Sequence, residues 1–150
     1  MLILRGAPAL SDFRKQKLLN TLQQQVPIIN AIYTQYIHLT ELRGDLCEND
    51  QVKLETLLEY GPNVAKEDPS GQILFVTPRA GTISPWSSKA TDIVKNCGLD
   101  AVARIERGTL FYIKAQRALT AQELQRVESL IHDRMVEQVF SSMHSASVLF

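Results

Sequence analysis

The sequence has little of what marks several large classes of protein. It contains two cysteines, Cys47 and Cys97, in 150 residues, which indicates neither a disulfide framework nor a cysteine-based metal site. Its apolar runs are only a few residues long, whereas a membrane-spanning helix needs about 20. Its first residues also lack the pattern of a secretory signal. We therefore expect a cytoplasmic protein that makes no membrane contact.

The chain also lacks net charge, because 16 Lys and Arg balance 16 Asp and Glu. A neutral chain has no long-range field that attracts nucleic acid, and no local basic stripe is visible, so we expect no nucleic-acid partner. The sequence contains no Gly-rich phosphate loop and no His, Cys or carboxylate pair at metal-ligand spacing. We therefore predict no metal or cofactor site in this chain.

What the chain does have is the composition of one globular domain, with 45% hydrophobic residues. Apolar spacing and turn residues predict short strands that alternate with helices, and the last helix begins at Thr120 with a capping box. Residues 101–115 are predicted to form two strands that meet at Arg107-Gly108. The predicted fold class is α/β (α+β), built from a strand-helix-strand-strand-helix unit.

This unit occurs twice, in halves of about 1–70 and 71–140, with residues 141–150 as a tail. Val127 follows Leu54 by 73 residues (127 − 54), and Tyr112 follows Tyr36 by 76 (112 − 36). Such offsets predict a duplicated unit with changes in loop length. The expected product is a pseudo-two-fold sheet covered by helices. Because the seam between the halves is filled within one chain, we expect a monomer.

The residues most capable of nucleophilic or acid-base chemistry are poorly placed for it. Cys97 lies at the end of a predicted helix, where the helix dipole disfavours a thiolate, and Cys47 has no histidine nearby in sequence. His38 matches Lys114 of the second half, which predicts an exposed strand face. We therefore predict no catalytic residue.

The start of the third predicted helix is the strongest candidate site. Ser84 is a good N-cap and Pro85 suits the first helical position. The next backbone amides, with Lys89 and Arg79, form a plausible anion site. In the alternative interpretation the serines only cap the helix, Trp86 packs on its own domain, and Lys89 pairs with Asp92.

Five segments of the chain carry a resemblance to one family. They are LRGAPALSDFR at 4–14, LLEYGP at 57–62, VTPRAGTISPWSSKATDIVKNCGL at 76–99, IERGTLFYI at 105–113 and HDRMVEQVF at 132–140. The chain resembles the N-terminal domain of the large form of phosphoribosylformylglycinamidine synthase, also called formylglycinamide ribonucleotide amidotransferase. The likeness runs over essentially the whole chain.

The resemblance implies a ligase of purine biosynthesis that uses ATP, Mg²⁺ and ammonia released from glutamine. It also implies an N-terminal domain similar to a fused dimer of the small separate subunit, PurS, which agrees with the predicted duplication. The sequence stops at Phe150, so we expect an excised domain that is inactive alone. Its expected partners are the synthetase and glutaminase domains of the same enzyme.

With this resemblance, the start of the third helix becomes a candidate domain interface or anion-binding site. Its residues are Arg79, Ser84, Trp86, Ser87, Ser88, Lys89, Thr91 and Asp92. Two other functions stay open. One is a regulatory α/β module that binds a small molecule at the seam between the repeats. The other is a stand-alone enzyme built around the Ser84–Lys89 cluster, which lacks an evident base.

Overall fold

A computed structural model describes residues 1–59 and 71–150 of the chain. The elements in chain order are β1 (Leu2–Arg5), α1 (Asp12–Gln25), β2 (Ile29–Leu42), α2 (Glu48–Leu57), β3 (Gln72–Pro78), α3 (Pro85–Asn96), β4 (Val102–Ala115), α4 (Ala121–Ile131), β5 (Glu137–Phe140) and a C-terminal 3-10 helix (His144–Leu149). The predicted α+β class is confirmed. The end of the LLEYGP segment and the boundary predicted near residue 70 lie outside the described residues.

One antiparallel sheet holds the five strands in the order β1-β2-β4-β3-β5. The prediction of two strands over 101–115 is wrong, because β4 runs without a break through Gly108. A Cβ atom at Gly108 would lie 2.5 Å from Cζ of Phe75 on the neighbouring strand. This glycine makes room for an aromatic ring and does not form a turn.

The order of elements repeats along the chain. The starts of α3, β4 and α4 follow those of α1, β2 and α2 by 73 residues in each case (85 − 12, 102 − 29 and 121 − 48). The strand order β1-β2-β4-β3 is also symmetric about the central pair. Both observations support the predicted duplication, which stays a prediction.

The proposed match between Tyr36 and Tyr112 does not follow the spacing of these elements. Tyr36 lies beside Arg107, whereas Tyr112 packs in the core on the opposite face and accepts a hydrogen bond from Arg5. Side chains alternate between the two faces of a strand, so an offset three residues larger than 73 reverses the face. These two tyrosines are therefore not equivalent positions.

The two faces of the sheet are covered by different structures. The helices pack on the face that carries Ile32 and Ile105, forming two apolar clusters. The other face carries Ile37 and Leu110, and there Ala146 and Leu149 of the C-terminal 3-10 helix are buried. The 3-10 helix therefore packs on the sheet through Ala146 and Leu149, which belong to its core.

Candidate functional site at the start of helix α3

The predicted cap of α3 is confirmed. Ser84 has extended backbone angles (φ −68°, ψ 153°), and its hydroxyl accepts a hydrogen bond from the Ser87 amide at 3.0 Å. Pro85 occupies the first helical position, where its missing N–H costs nothing. The helix thus begins where the local sequence places it.

Two further hydroxyls of α3 are bonded to the edge of strand β4. The Ser87 hydroxyl donates to the carbonyl of Ile105, and the Thr91 hydroxyl accepts from the Ile105 amide at 3.1 Å. In the part of the chain that the structure describes, β3 pairs with β4 only over residues 109–113. The hydroxyls of Ser87 and Thr91, one helical turn apart, therefore bond the carbonyl and the amide of Ile105, which β3 does not pair with.

A buried carboxylate lies at the N-terminus of α3. Glu106, only 1% exposed, accepts hydrogen bonds from the Ser84 hydroxyl at 2.7 Å and from Arg104 Nη2 at 2.8 Å. The Arg107 amide donates to the same carboxylate at 3.0 Å. A negative charge at this end of a helix is favoured by the helix dipole. The carboxylate of Glu106 thus occupies the position at the N-terminus of α3 where an external anion was expected to bind.

Sequence reasoning missed Glu106 and Arg104. The one signal available was their spacing: residues two apart on a strand share a face, so opposite charges there can pair. That pattern is common on exposed strands, and nothing local distinguishes a buried pair from a solvated one.

Trp86 packs on its own domain, as the structural interpretation expected. Its ring stacks on that of His38, with 5.7 Å between centroids, and the Arg107 guanidinium lies 4.8 Å from the Trp86 centroid. Arg107 also lies 4.2 Å from the centroid of Tyr36. The cation is therefore held between two aromatic rings.

The prediction of an exposed His38 is wrong, since this side chain is fully buried. The matched Lys114 is exposed, but it follows His38 by 76 residues (114 − 38), an offset that reverses the strand face as it does for the two tyrosines. Burial, together with the charge of Arg107, lowers the pKa of His38 to about 4, and a hydrogen bond with the Leu4 backbone partly opposes the shift. His38 is thus neutral at pH 7.

The other predicted site residues lie on the surface. Arg79, Ser88, Lys89 and Asp92 are exposed. Within the described ranges Lys89 and Asp92 do not form the ion pair that the structural interpretation expected. The eight predicted residues therefore divide into an inward set (Ser84, Trp86, Ser87 and Thr91) and an outward set.

Beside Arg79 lie two loops with exposed apolar side chains that sequence reasoning also missed. Ile83, Met135 and Val136 are 64%, 82% and 60% exposed. Their two loops adjoin, because the Arg79 amide donates to the Val136 carbonyl at 3.0 Å and Arg79 Nη1 donates to the Arg134 carbonyl at 2.7 Å. We call Ile83, Met135 and Val136 the loop patch. Exposed apolar residues on adjoining loops are the feature of this region that a partner could cover.

The family of the chain is shown by a comparison with models of known families. The model described as "Formylglycinamide ribonucleotide amidotransferase N-terminal" matches residues 35–150, which include all of α3 and the loop patch. The chain belongs to this family. It is therefore part of an amidotransferase of purine biosynthesis, and the other domains of that enzyme are its implied partners.

One groove on the amidotransferase domain bears on the small-molecule alternative. It has a volume of about 180 Å³ and lies between α2 and α3, where it is lined by Leu57, Leu58, Trp86, Lys89, Ala90, Ile93, Val94 and Ile105. Sites for small molecules commonly have about 300–1,000 Å³ and several convergent polar groups. This groove is smaller, and Lys89 is the single charged residue among those that line it.

Within residues 1–59 and 71–150 the domain lacks two features, a metal-binding cluster and a membrane-spanning helix. In these ranges no three His, Cys, Asp or Glu side chains are grouped so that they could hold a metal ion. Among the same residues no helix of the amidotransferase domain has the length and apolar character needed to cross a bilayer.

Proposed function

We propose that this domain is a non-catalytic adaptor of formylglycinamide ribonucleotide amidotransferase. It holds the synthetase and glutaminase portions in register, so that ammonia from glutamine reaches the substrate that ATP has activated. Family membership supports this function. The observation that carries the adaptor role is a contrast near α3: the Ser84 and Ser87 hydroxyls are bonded within the domain, whereas the adjoining loops at 79–83 and 134–136 carry exposed apolar side chains.

The inward side chains are committed to internal hydrogen bonds. The Ser84 hydroxyl donates to Glu106, and the Ser87 hydroxyl donates to Ile105. A nucleophilic serine needs its hydroxyl bonded to a general base and open to a substrate. The Ser84 hydroxyl does contact a carboxylate, but Glu106 is buried and already accepts from Arg104 and from the Arg107 amide. The Ser87 hydroxyl is buried against the Ile105 carbonyl, so we assign no nucleophile to this cluster.

The charges at α3 favour a protein partner over a phosphate. Glu106 already lies at the positive end of the helix, and a second anion there would be repelled by it. The neighbouring loop patch is apolar, and burial of apolar area is the main favourable contribution to protein association. We therefore propose that the domain docks through Ile83, Met135 and Val136, together with the exposed Arg79, Ser88, Lys89 and Asp92.

The adaptor contributes to the reaction through position. In the parent enzyme the synthetase would use ATP and Mg²⁺ to activate the formyl amide oxygen, and ammonia would then displace phosphate. Holding reacting groups in place can lower a barrier by several kcal/mol without adding a reactive group. The long strands β2 and β4, of 14 residues each, provide a stiff centre for such a scaffold.

Three other properties belong to this proposal. We propose that residues 1–140 form the PurS-like domain, and that residues 141–150, although packed on the sheet, lead toward the linker and the catalytic domains. We also propose that the domain is monomeric by itself and functions in the cytoplasm. Gel filtration of the isolated chain with light scattering tests the oligomeric state.

The proposal is tested in the full-length enzyme by comparing glutamine with free ammonia as the nitrogen source. Met135→Asp and Val136→Asp place a charge in the loop patch. We expect glutamine-dependent synthesis to fall at least about tenfold, since a desolvated charge in an interface costs several kcal/mol. Activity with saturating ammonia should fall much less.

Phe13→Asp is the matched control, because Phe13 is also an exposed apolar residue (78%) and lies on a different element, α1. An equal loss in this control, or unchanged activity in the loop-patch variants, would contradict the adaptor role. A rise in melting temperature with amino acids or nucleotides, lost in Ile93→Asp, would instead support the regulatory module and assign its ligand to the α2–α3 groove.

A further inference from the structure

Arg104 contacts the C-terminal segment with one side of its guanidinium. Nη1 donates to the Leu149 carbonyl at 2.9 Å, and the guanidinium carbon lies 5.4 Å from the centroid of the Phe150 ring. Ala146 and Leu149 are buried in the same segment, so these contacts accompany a seated 3-10 helix.

The remaining nitrogens of Arg104 contact the start of α3. Nη2 donates to the Thr82 carbonyl at 3.1 Å and to Glu106 at 2.8 Å, while Nε donates to the Ser87 hydroxyl at 3.2 Å. Glu106 in turn holds the Ser84 cap. One side chain on β4 therefore joins the loop before α3, the first turn of α3 and the C-terminal segment.

The chemistry of arginine makes these two sets of contacts interdependent. A guanidinium is planar, and its five N–H groups have fixed directions, so it cannot adjust to one set of acceptors without losing the other. Its side chain is 16% exposed and its partner Glu106 is 1% exposed. Because water has little access to this pair, a hydrogen bond that is broken there is not replaced by one to water, and the stability of the fold decreases.

We propose that Arg104 couples two distant segments, so that seating of residues 144–149 on the sheet stabilises the start of α3. By thermodynamic linkage the reverse also holds: a partner bound at the start of α3 stabilises the seated C-terminal segment. This last consequence rests on the proposed function. The coupling itself is a property of the chain alone.

The test unseats the C-terminal segment and observes α3. Ala146→Asp puts a charge into a fully buried position of the 3-10 helix. We expect amide hydrogen exchange over residues 82–91 to accelerate about tenfold, within the usual range of coupling between two sites. Fluorescence of Trp86, the single tryptophan of the chain, should change in parallel. The control Val127→Ala opens a buried site in the cluster of α1 and α4 and should leave exchange over 82–91 unaccelerated.

The coupling is then removed at its centre. In the background Arg104→Met with Glu106→Leu, which replaces the pair by apolar side chains, Ala146→Asp should no longer accelerate exchange over 82–91. Phe150→Ala, a milder change, should give about a two- to fivefold acceleration, the worth of one cation–π contact. Acceleration that persists in the Met/Leu background, equal acceleration in Val127→Ala, or no response to Phe150→Ala would overturn the proposal. Failure of the adaptor experiment would leave these results unaffected.

Discussion

Helices α1 and α3 begin with the same local motif in different surroundings. Ser11 caps α1 with φ −63° and ψ 160°, and its hydroxyl accepts from the Arg14 amide at 3.3 Å, much as the Ser84 hydroxyl accepts from Ser87. Ser11 is exposed. Ser84 also donates to the buried Glu106. The same type of N-cap therefore begins α1 in contact with solvent, whereas at α3 it also joins the helix to the Glu106–Arg104 ion pair.

The two helix starts also differ in how they contact the sheet. Beside α1 the Thr34 hydroxyl of β2 accepts from the Leu10 amide at 3.2 Å. At α3 the direction is reversed, since the hydroxyls of Ser87 and Thr91 extend from the helix to Ile105 of β4. The similar N-caps of α1 and α3 therefore do not indicate which helix makes polar side-chain contacts with the sheet. The following predictions test how far the two starts differ.

The largest effect is expected from Glu106→Leu. Removing one member of a buried ion pair leaves the other charge uncompensated, and we expect a loss of about 3 kcal/mol in the free energy of unfolding, measured in urea. Glu106→Gln should lose less, because an amide oxygen can still accept from Ser84. Unchanged stability of Glu106→Leu would mean that α3 starts as independently as α1.

The next prediction concerns the dependence of folding stability on pH. It arises from His38, which stacks against Trp86 at the start of α3. The pKa of His38 is lowered from 6.5 to about 4 in the folded chain. As pH falls below 6.5, the unfolded state binds a proton that the folded state does not bind until about pH 4. Stability should therefore fall by about 2 kcal/mol between pH 7 and about pH 4.5, measured by urea unfolding at each pH.

His38→Gln should remove most of this pH dependence. His144→Gln is the control, because His144 is exposed and its loss should leave the dependence in place. An equal slope in wild type and His38→Gln would show that other groups carry it.

The smallest effect compares the caps themselves. Ser11→Ala removes an exposed cap and should cost about 1 kcal/mol. Ser84→Ala removes a cap and one hydrogen bond to a buried carboxylate, so we expect about 2 kcal/mol. Chemical denaturation of both variants measures the difference. Equal losses would show that Glu106 gains nothing from Ser84.

Sequence reasoning succeeded where the deciding contacts are short in range. A cap hydroxyl binds an amide three residues away, so Ser84 and Thr120 could be assigned from spacing alone, and both caps are observed. It failed at Gly108, where a glycine resembles a turn until the ring of Phe75 is known to lie beside it.

The candidate site could be predicted only in outline. Packing of Trp86 on its own domain was only the alternative interpretation, and the division of the α3 residues into inward and outward sets depends on the open edge of β4 at Ile105. The loop patch depends on the adjacency of residues 79–83 and 134–136, more than 50 positions apart in the chain. No periodic pattern in either loop indicates that adjacency.

The sequence by itself determined the starts of α3 and α4, the α+β class and the family, because these depend on patterns among neighbouring residues. Tertiary structure alone decided that His38 is buried and neutral and that Glu106 is the anion of α3. Those properties come from contacts between residues 48 apart (86 − 38) and 22 apart (106 − 84). The environment of an ionisable group is set by what the fold brings over it, and that is not encoded at the position of the group.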